Sequence, residues 1–131
     1  MFGKWYSTDN DCAQYMRKSK DGTEYEMIQY IWLDTTEEDR AKGLHEYVIC
    51  KTELDISDLS NDDVLCAISS YGYTFVSLLK DYGDCALDII AECYMEEEIG
   101  RDCNVIGHAD SKEAAERIVM KYVRGVWRFD V

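Results

Sequence analysis

The chain has no proline among its 131 residues, so the commonest loop stiffener is missing and glycines and helix caps must mark the element boundaries. It has no apolar run near the roughly 18 to 20 residues that a membrane span requires, and behind the single Lys of "MFGKWYSTDNDC" no apolar stretch follows. The expectation is a cytoplasmic protein that neither spans a membrane nor carries an obvious secretion signal. C-x-x-C pairs are also absent. Cys12, Cys50, Cys66, Cys85, Cys93 and Cys103 have no partner at short spacing. Cys85 and Cys93 fall on one expected helix, about 12 Å apart along its axis, too far for a disulfide. All six are read as reduced, small hydrophobes. Basic residues are scarce: 14 Lys and Arg stand against 27 Asp and Glu, a net charge of -13. That balance disfavours direct binding to nucleic acid or to an anionic membrane, because both require basic surface to displace counterions.

What the chain has is apolar and aromatic material: 47% hydrophobic residues, with ten Tyr, three Trp and three Phe. This is enough for a core and too aromatic for a disordered chain, so residues 1–131 are expected to form a single domain. The charge is unevenly placed. Residues 1–33 hold five acids and four bases, residues 34–98 seventeen acids and four bases, and residues 99–131 five acids and six bases. The whole excess comes from the middle.

"CAQYMRKSKDGTEYEMIQYIWL" reads as a β-hairpin turning at Lys20, Asp21 and Gly22. Both alternate sets of residues 24–33 are largely apolar, which predicts a central strand covered on both faces. "DTTEEDRAKG" reads as an acidic loop or short helical turn capped by Thr35 or Thr36, and "LHEYVICKTEL" as a further strand. The period then changes. Ser60 with Asp63 is a capping-box-like start to a helix facing inward through Val64, Leu65, Ile68 and Tyr71 and stopped by Gly72. A second helix presents Phe75, Leu78, Leu79 and Tyr82 up to Gly83, and a third runs from Asp84 to Gly100. "NVIGHA" reads as a short buried strand. Asp110 and Glu113 suggest a capping box for a helix that faces inward through Ala114, Ile118, Val119 and Tyr122, and "VWRFDV" closes the chain as an alternating strand. The order β-β-β-α-α-α-β-α-β predicts an α+β domain with a mostly antiparallel sheet of about five strands and about four helices.

Catalytic and metal signatures are weak. Cys103 and His108 have no second ligand pair for structural zinc, and "DISDLSNDD" lacks the glycine and closing glutamate of a calcium loop. The same carboxylates serve better as helix caps. A nucleophile needs a base and an orienting acid; Cys103 with His108 is conceivable, and His45 lies in an expected strand. Neither nucleotide-binding glycine pattern appears, and 27 acids offer too many carboxylate pairs to single one out. No cofactor is implied, and the leading expectation is a non-enzymatic protein.

The stretch "KDYGDCALDIIAECYMEEEIG" is the remaining signal, with seven carboxylates and one Lys. On a helix, Asp84, Asp88, Glu92 and Glu96 follow one another every four residues, an arrangement that costs roughly 0.2 to 0.5 kcal/mol per like-charged pair. Helix geometry places Ala86, Leu87, Ile90 and Tyr94 on the other side, which predicts that the helix docks through them and shows the acids to solvent. The row rises about 6 Å per carboxylate, close to the phosphate spacing of a nucleic-acid strand, and Glu97 and Glu98 extend it. Glu53, Asp55, Asp58, Asp62, Asp63 and Asp81 enlarge the acidic segment. Against this stands the bland reading of a solvated face that favours solubility.

Residues 69–98, "SSYGYTFVSLLKDYGDCALDIIAECYMEEE", resemble a helical segment of small acidic accessory proteins of bacterial phages and conjugative elements, in which "YGY", "YG" and "IIAEC" follow in this order. The resemblance implies a role like that of anti-CRISPR or anti-restriction inhibitors, inside the bacterial host. Three functions are weighed. The first is a nucleic-acid mimic that binds the basic groove of a defence nuclease such as a CRISPR effector. The second is a mobile-element accessory protein that binds another protein or itself, its acidity incidental. The third is a small enzyme or small-ligand-binding domain.

Overall fold

The computed structural model describes residues 2–9, 13–33, 35–44, 46–98 and 104–124, without the side chains of Asp9 and Glu98. Its frame is an antiparallel sheet of five strands, β1 (Tyr6–Asp9), β2 (Gln14–Lys18), β3 (Glu24–Trp32), β4 (Tyr47–Asp55) and β5 (Asn104–Ala109), which lie side by side in chain order. β2 and β3 form the expected hairpin: Gly22 takes a positive φ of 75° in a turn closed by backbone bonds between Ser19 and Gly22 and between Ser19 and Glu24. β3 is the middle strand and is covered on both faces, as its two apolar sets require.

Helices supply the two covers. On one face, α5 (Lys112–Val123) lays Ala115 and Val119 over Ile28 and Ile49, with Trp5, Tyr30, Tyr47 and Tyr122 around them. Gly107 allows that approach, since a Cβ there would meet the Ile118 side chain at 3.4 Å. On the other face, α4 (Ala86–Glu98) packs Ala91 and Met95 onto Met16, Tyr25, Met27 and Leu54. α2 (Asn61–Ser69) and α3 (Phe75–Tyr82) then pack against α4 through Ile68, Leu78, Ala86 and Ile90. All three helices lie between β4 and β5 in the chain, an insertion into an otherwise plain meander. A one-turn helix α1 (Glu37–Ala41) links β3 to β4 with Thr36 as its cap.

The α+β class, the antiparallel sheet and the main helices agree with the sequence reading, and several details differ. β1 takes a place in the sheet that periodicity did not assign, because its four residues, "YSTD", are too few and too polar to show alternation. Among the described strands β5 lies at the edge of the sheet, and it is not buried: Val105 is more than half exposed. Ser111, not Asp110, caps α5 by accepting from the Ala114 amide. The third helix of the insertion begins with a 3-10 turn at Gly83–Cys85, so its α-helical part starts at Ala86. The closing strand expected at 126–131, together with His45, Cys12, Cys103 and Gly100, lies outside the described residues.

Candidate functional site

The acidic row of α4 faces another way than its spacing suggests. Asp88 is half-buried and accepts a hydrogen bond from the Tyr25 hydroxyl at 2.8 Å, while the Lys18 ammonium sits 3.2 Å from both its oxygens. Glu96, also half-buried, accepts from the Gln14 side chain at 2.9 Å and from the Tyr71 hydroxyl. Gln14 is itself buried; it donates to Gln29 and accepts from Thr8, so one amide ties α4 to three strands of the sheet. Glu92 stands half-buried between these two, beside Tyr6. Asp88, Glu92 and Glu96 therefore lie along the seam between α4 and the sheet, while Asp84, before the α-helical part begins, is exposed. The prediction that the row faces solvent is corrected for the three along the seam, because β2 and β3 raise Lys18, Tyr25 and Gln14 as donors there and carboxylates satisfy them.

The neighbours register this charge. Burial first, then the carboxylates of Asp88 and Glu92, push the Tyr6 hydroxyl up to about 12. Burial, followed by Glu92, Glu96 and Glu97, pushes the Cys93 thiol up to about 12 as well. Such a thiol is a protonated core residue and not an activated nucleophile. Burial, then the bond to Asp88, holds the Tyr25 hydroxyl above its usual range.

The remaining candidates divide into caps and exposed charges. Asp63 completes the capping box with Ser60, and Asp55 caps the 3-10 turn Ile56–Asp58 by accepting from the Ser57 amide at 3.0 Å. Both have structural work that does not require a partner. Glu53 is exposed and paired with Lys51 at 3.0 Å. Asp58, Asp62, Asp81 and Asp84 are exposed, and Glu97 is half-buried. The side chain of Glu98 lies outside the described set. The exposed acids of the insertion thus lie at helix ends and turns and not along a single helical ridge.

What the sequence reading missed is apolar. The inward faces expected for α2 and α3 are only partly inward: Leu65, Tyr71, Phe75, Leu79 and Tyr82 are exposed, and Leu87, expected to dock, is 53% exposed. Of the expected face of α3 only Leu78 is fully buried. Between α3 and α4 lies a cleft of about 450 Å³ lined by Phe75, Leu78, Leu79, Leu87, Ile90 and the carboxylate-bearing Asp84, together with Gly83 and Ala86. Helical periodicity marks these residues as apolar at the right interval; it carries no information on whether another element covers them.

A second hollow, of about 310 Å³, lies at the ends of β3 and β4, where Glu24 faces Asp55 and Glu26 faces Glu53 across the ladder. Glu26 is 5% exposed and is held by Arg17 at 3.1 Å and Lys51 at 3.5 Å, so the buried carboxylate is already paired on both sides. Among the described residues no group of three or more His, Cys, Asp or Glu is placed to hold a metal ion, and no helix is long and apolar enough to cross a membrane. His108 stands exposed on β5, across from Val48. Its suggested partner Cys103 is outside the described residues.

Comparison of the chain with protein-family models, with curated proteins and with solved structures finds no match.

Proposed function

We propose that this chain is a non-catalytic binding protein that engages a basic protein partner through the helical insertion between β4 and β5. The observation that carries the reading is the company kept by the exposed acids. Asp58, Asp62, Asp81 and Asp84 are all exposed on an insertion that also exposes Leu65, Phe75, Val76, Leu79 and Leu87. Residues 52–98 hold twelve acids against one base, Lys80. A surface that is acidic and apolar together suits a protein partner with basic and apolar groups, where charge sets the encounter rate and apolar burial the lifetime. In its most specific form the partner is a basic nucleic-acid groove of a host defence nuclease, a CRISPR effector or restriction enzyme, which the chain would occupy as an inhibitor. The acids that bear this role are the exposed ones; Asp88 and Glu96 serve the fold first.

The test is capture of the partner by tagged protein from nuclease-treated host lysate, with washes at about 0.1 M and then about 0.5 M salt, which shorten the screening length from about 10 Å to a few ångströms. A nuclease that elutes between the washes, and is not captured by the quadruple variant Asp58→Lys, Asp62→Lys, Asp81→Lys, Asp84→Lys, is the expected result. A partner held equally by both proteins at either salt would overturn the role of charge.

A further inference from the structure

The exposed apolar cleft between α3 and α4 has a shape and a charge setting that select a kind of occupant. We infer that it receives the apolar face of a basic amphipathic helix of the partner protein, an inference that rests on the binding role proposed above. Three observations carry it.

The first is uncovered apolar area. Leu79 is 63% and Leu87 53% exposed, and Phe75 is open as well, although all three line the same cleft. Large side chains at i, i+3 and i+4 of α3 (Phe75, Leu78, Leu79) meet Leu87 and Ile90 of α4, so two helices form a groove with apolar walls, the geometry that accepts a third helix. The second is polarity. Asp84 is the charged side chain in the lining, which leaves the cleft without the converging polar groups that orient a small molecule. The third is charge complementarity. Asp84 lines the cleft and Asp81 stands exposed three residues before it, whereas Asp88, Glu92 and Glu96 face the sheet, and residues 75–98 hold one base. That base, Lys80, falls on the opposite side of α3 from the cleft, about 150° from the centre of its lining arc at 100° per residue. A helix with apolar residues at i, i+3, i+4 and i+7 and basic residues elsewhere would bury its apolar stripe in the groove and place its charges beside Asp81 and Asp84. A second copy of this chain is a poorer occupant, since two molecules of net charge -13 repel.

The experiment measures fluorescence anisotropy of a labelled synthetic helix with Leu at i, i+3, i+4 and i+7 and Lys at the other positions. Two control peptides accompany it: one of the same composition in scrambled order, and one with every Lys replaced by Glu. The expected result is that the amphipathic Lys peptide binds at least about tenfold more tightly than the scrambled one. That advantage disappears in the double variant Leu79→Ser, Leu87→Ser and survives in Val105→Ser on the edge strand. Far-ultraviolet circular dichroism verifies that each variant is folded. Equal binding of the scrambled peptide would overturn the cleft inference while leaving the acidic-surface reading intact. Equal binding of the Glu peptide would overturn the basic character of the occupant. Failure of both Lys peptides to bind at low salt would remove the inference and the reading together. A concentration-dependent dimer in sedimentation, lost in the Leu double variant, would assign the cleft to self-association instead.

Discussion

Along the seam where α4 meets the sheet, the carboxylates of Asp88 and Glu96 are held by Lys18, Tyr25 and Gln14, whereas along the seam where α4 meets α3, Leu79 and Leu87 stand open to solvent. A helix on a sheet usually does the reverse, with leucines inward and acids outward. The difference follows from what each seam offers. The sheet presents hydrogen-bond donors along this seam, so half-buried acids there are satisfied and leaving them unpaired would be costly. α3 is eight residues long and sends one side chain, Leu78, fully into the core, so among the described residues Leu79 keeps most of its surface in water. Acidity on the first side therefore belongs to folding, and apolarity on the second is available for recognition.

Raising the pH should break the first side most completely. The Tyr6 hydroxyl and the Cys93 thiol are both lifted to about 12, from ordinary values of 10.0 and 9.0. Both are neutral when protonated, so between the ordinary and the lifted values the folded chain holds protons that the unfolded chain releases. Stability is then fully present below about pH 9 and falls as pH rises toward about 12. Urea titrations at rising pH, read beside tyrosinate absorbance, are expected to show unfolding and ionisation together. A chain equally stable at about pH 8 and about pH 11 would contradict the burial assigned to these groups.

Next in size is Asp88→Ala. It removes the acceptor of Tyr25, a hydroxyl on a residue only 2% exposed, and leaves Lys18 without its near carboxylate. The cost expected is about 2 kcal/mol, mostly from the stranded hydroxyl. Repeating the change in a Tyr25→Phe background isolates that origin: most of the cost should disappear, and an unchanged cost would place it elsewhere. Glu96→Gln is milder, about 1 kcal/mol, since the amide can still accept from Gln14 while losing the charge that strengthens the bond. A stabilised Glu96→Gln protein would show that repulsion within the acidic row outweighs those hydrogen bonds.

These two seams also mark what was readable in the sequence. The hairpin, β4, the Ser60 and Asp63 cap, and the glycine stops at 72 and 83 all rest on local chemistry, and each stands where that chemistry places it. That the acids of α4 gather on one side of the helix was legible as well. Their burial was not, because it depends on Lys18, Tyr25 and Gln14, which lie 70, 63 and 82 residues away in the chain and reach α4 only through the order of the strands. Likewise "YSTD" joins the sheet by pairing with β2, a fact of register rather than of composition. For the cleft the obstacle is different. Periodicity predicts an apolar face and assumes a cover; that Leu79 stays mostly exposed among the described residues is a property of the packed molecule.

The smallest effect on stability is expected at that uncovered face, and it sharpens the comparison most. Leu79→Ser and Leu87→Ser each replace a side chain already more than half in water, so little transfer free energy is lost and no cavity is made. Urea midpoints should move by no more than about 0.5 kcal/mol in free energy, the range of ordinary surface substitutions. Leu78→Ser, one position away from Leu79 and fully buried, should by contrast cost several kcal/mol, roughly the 2 to 5 of a large core truncation with a buried hydroxyl added. Equal costs for Leu78→Ser and Leu79→Ser would mean that α3 is covered on both flanks in solution, and the leucines would then belong to the core. A large difference leaves Leu79 and Leu87 as residues whose apolar character the fold does not require, which is the condition a binding surface must meet.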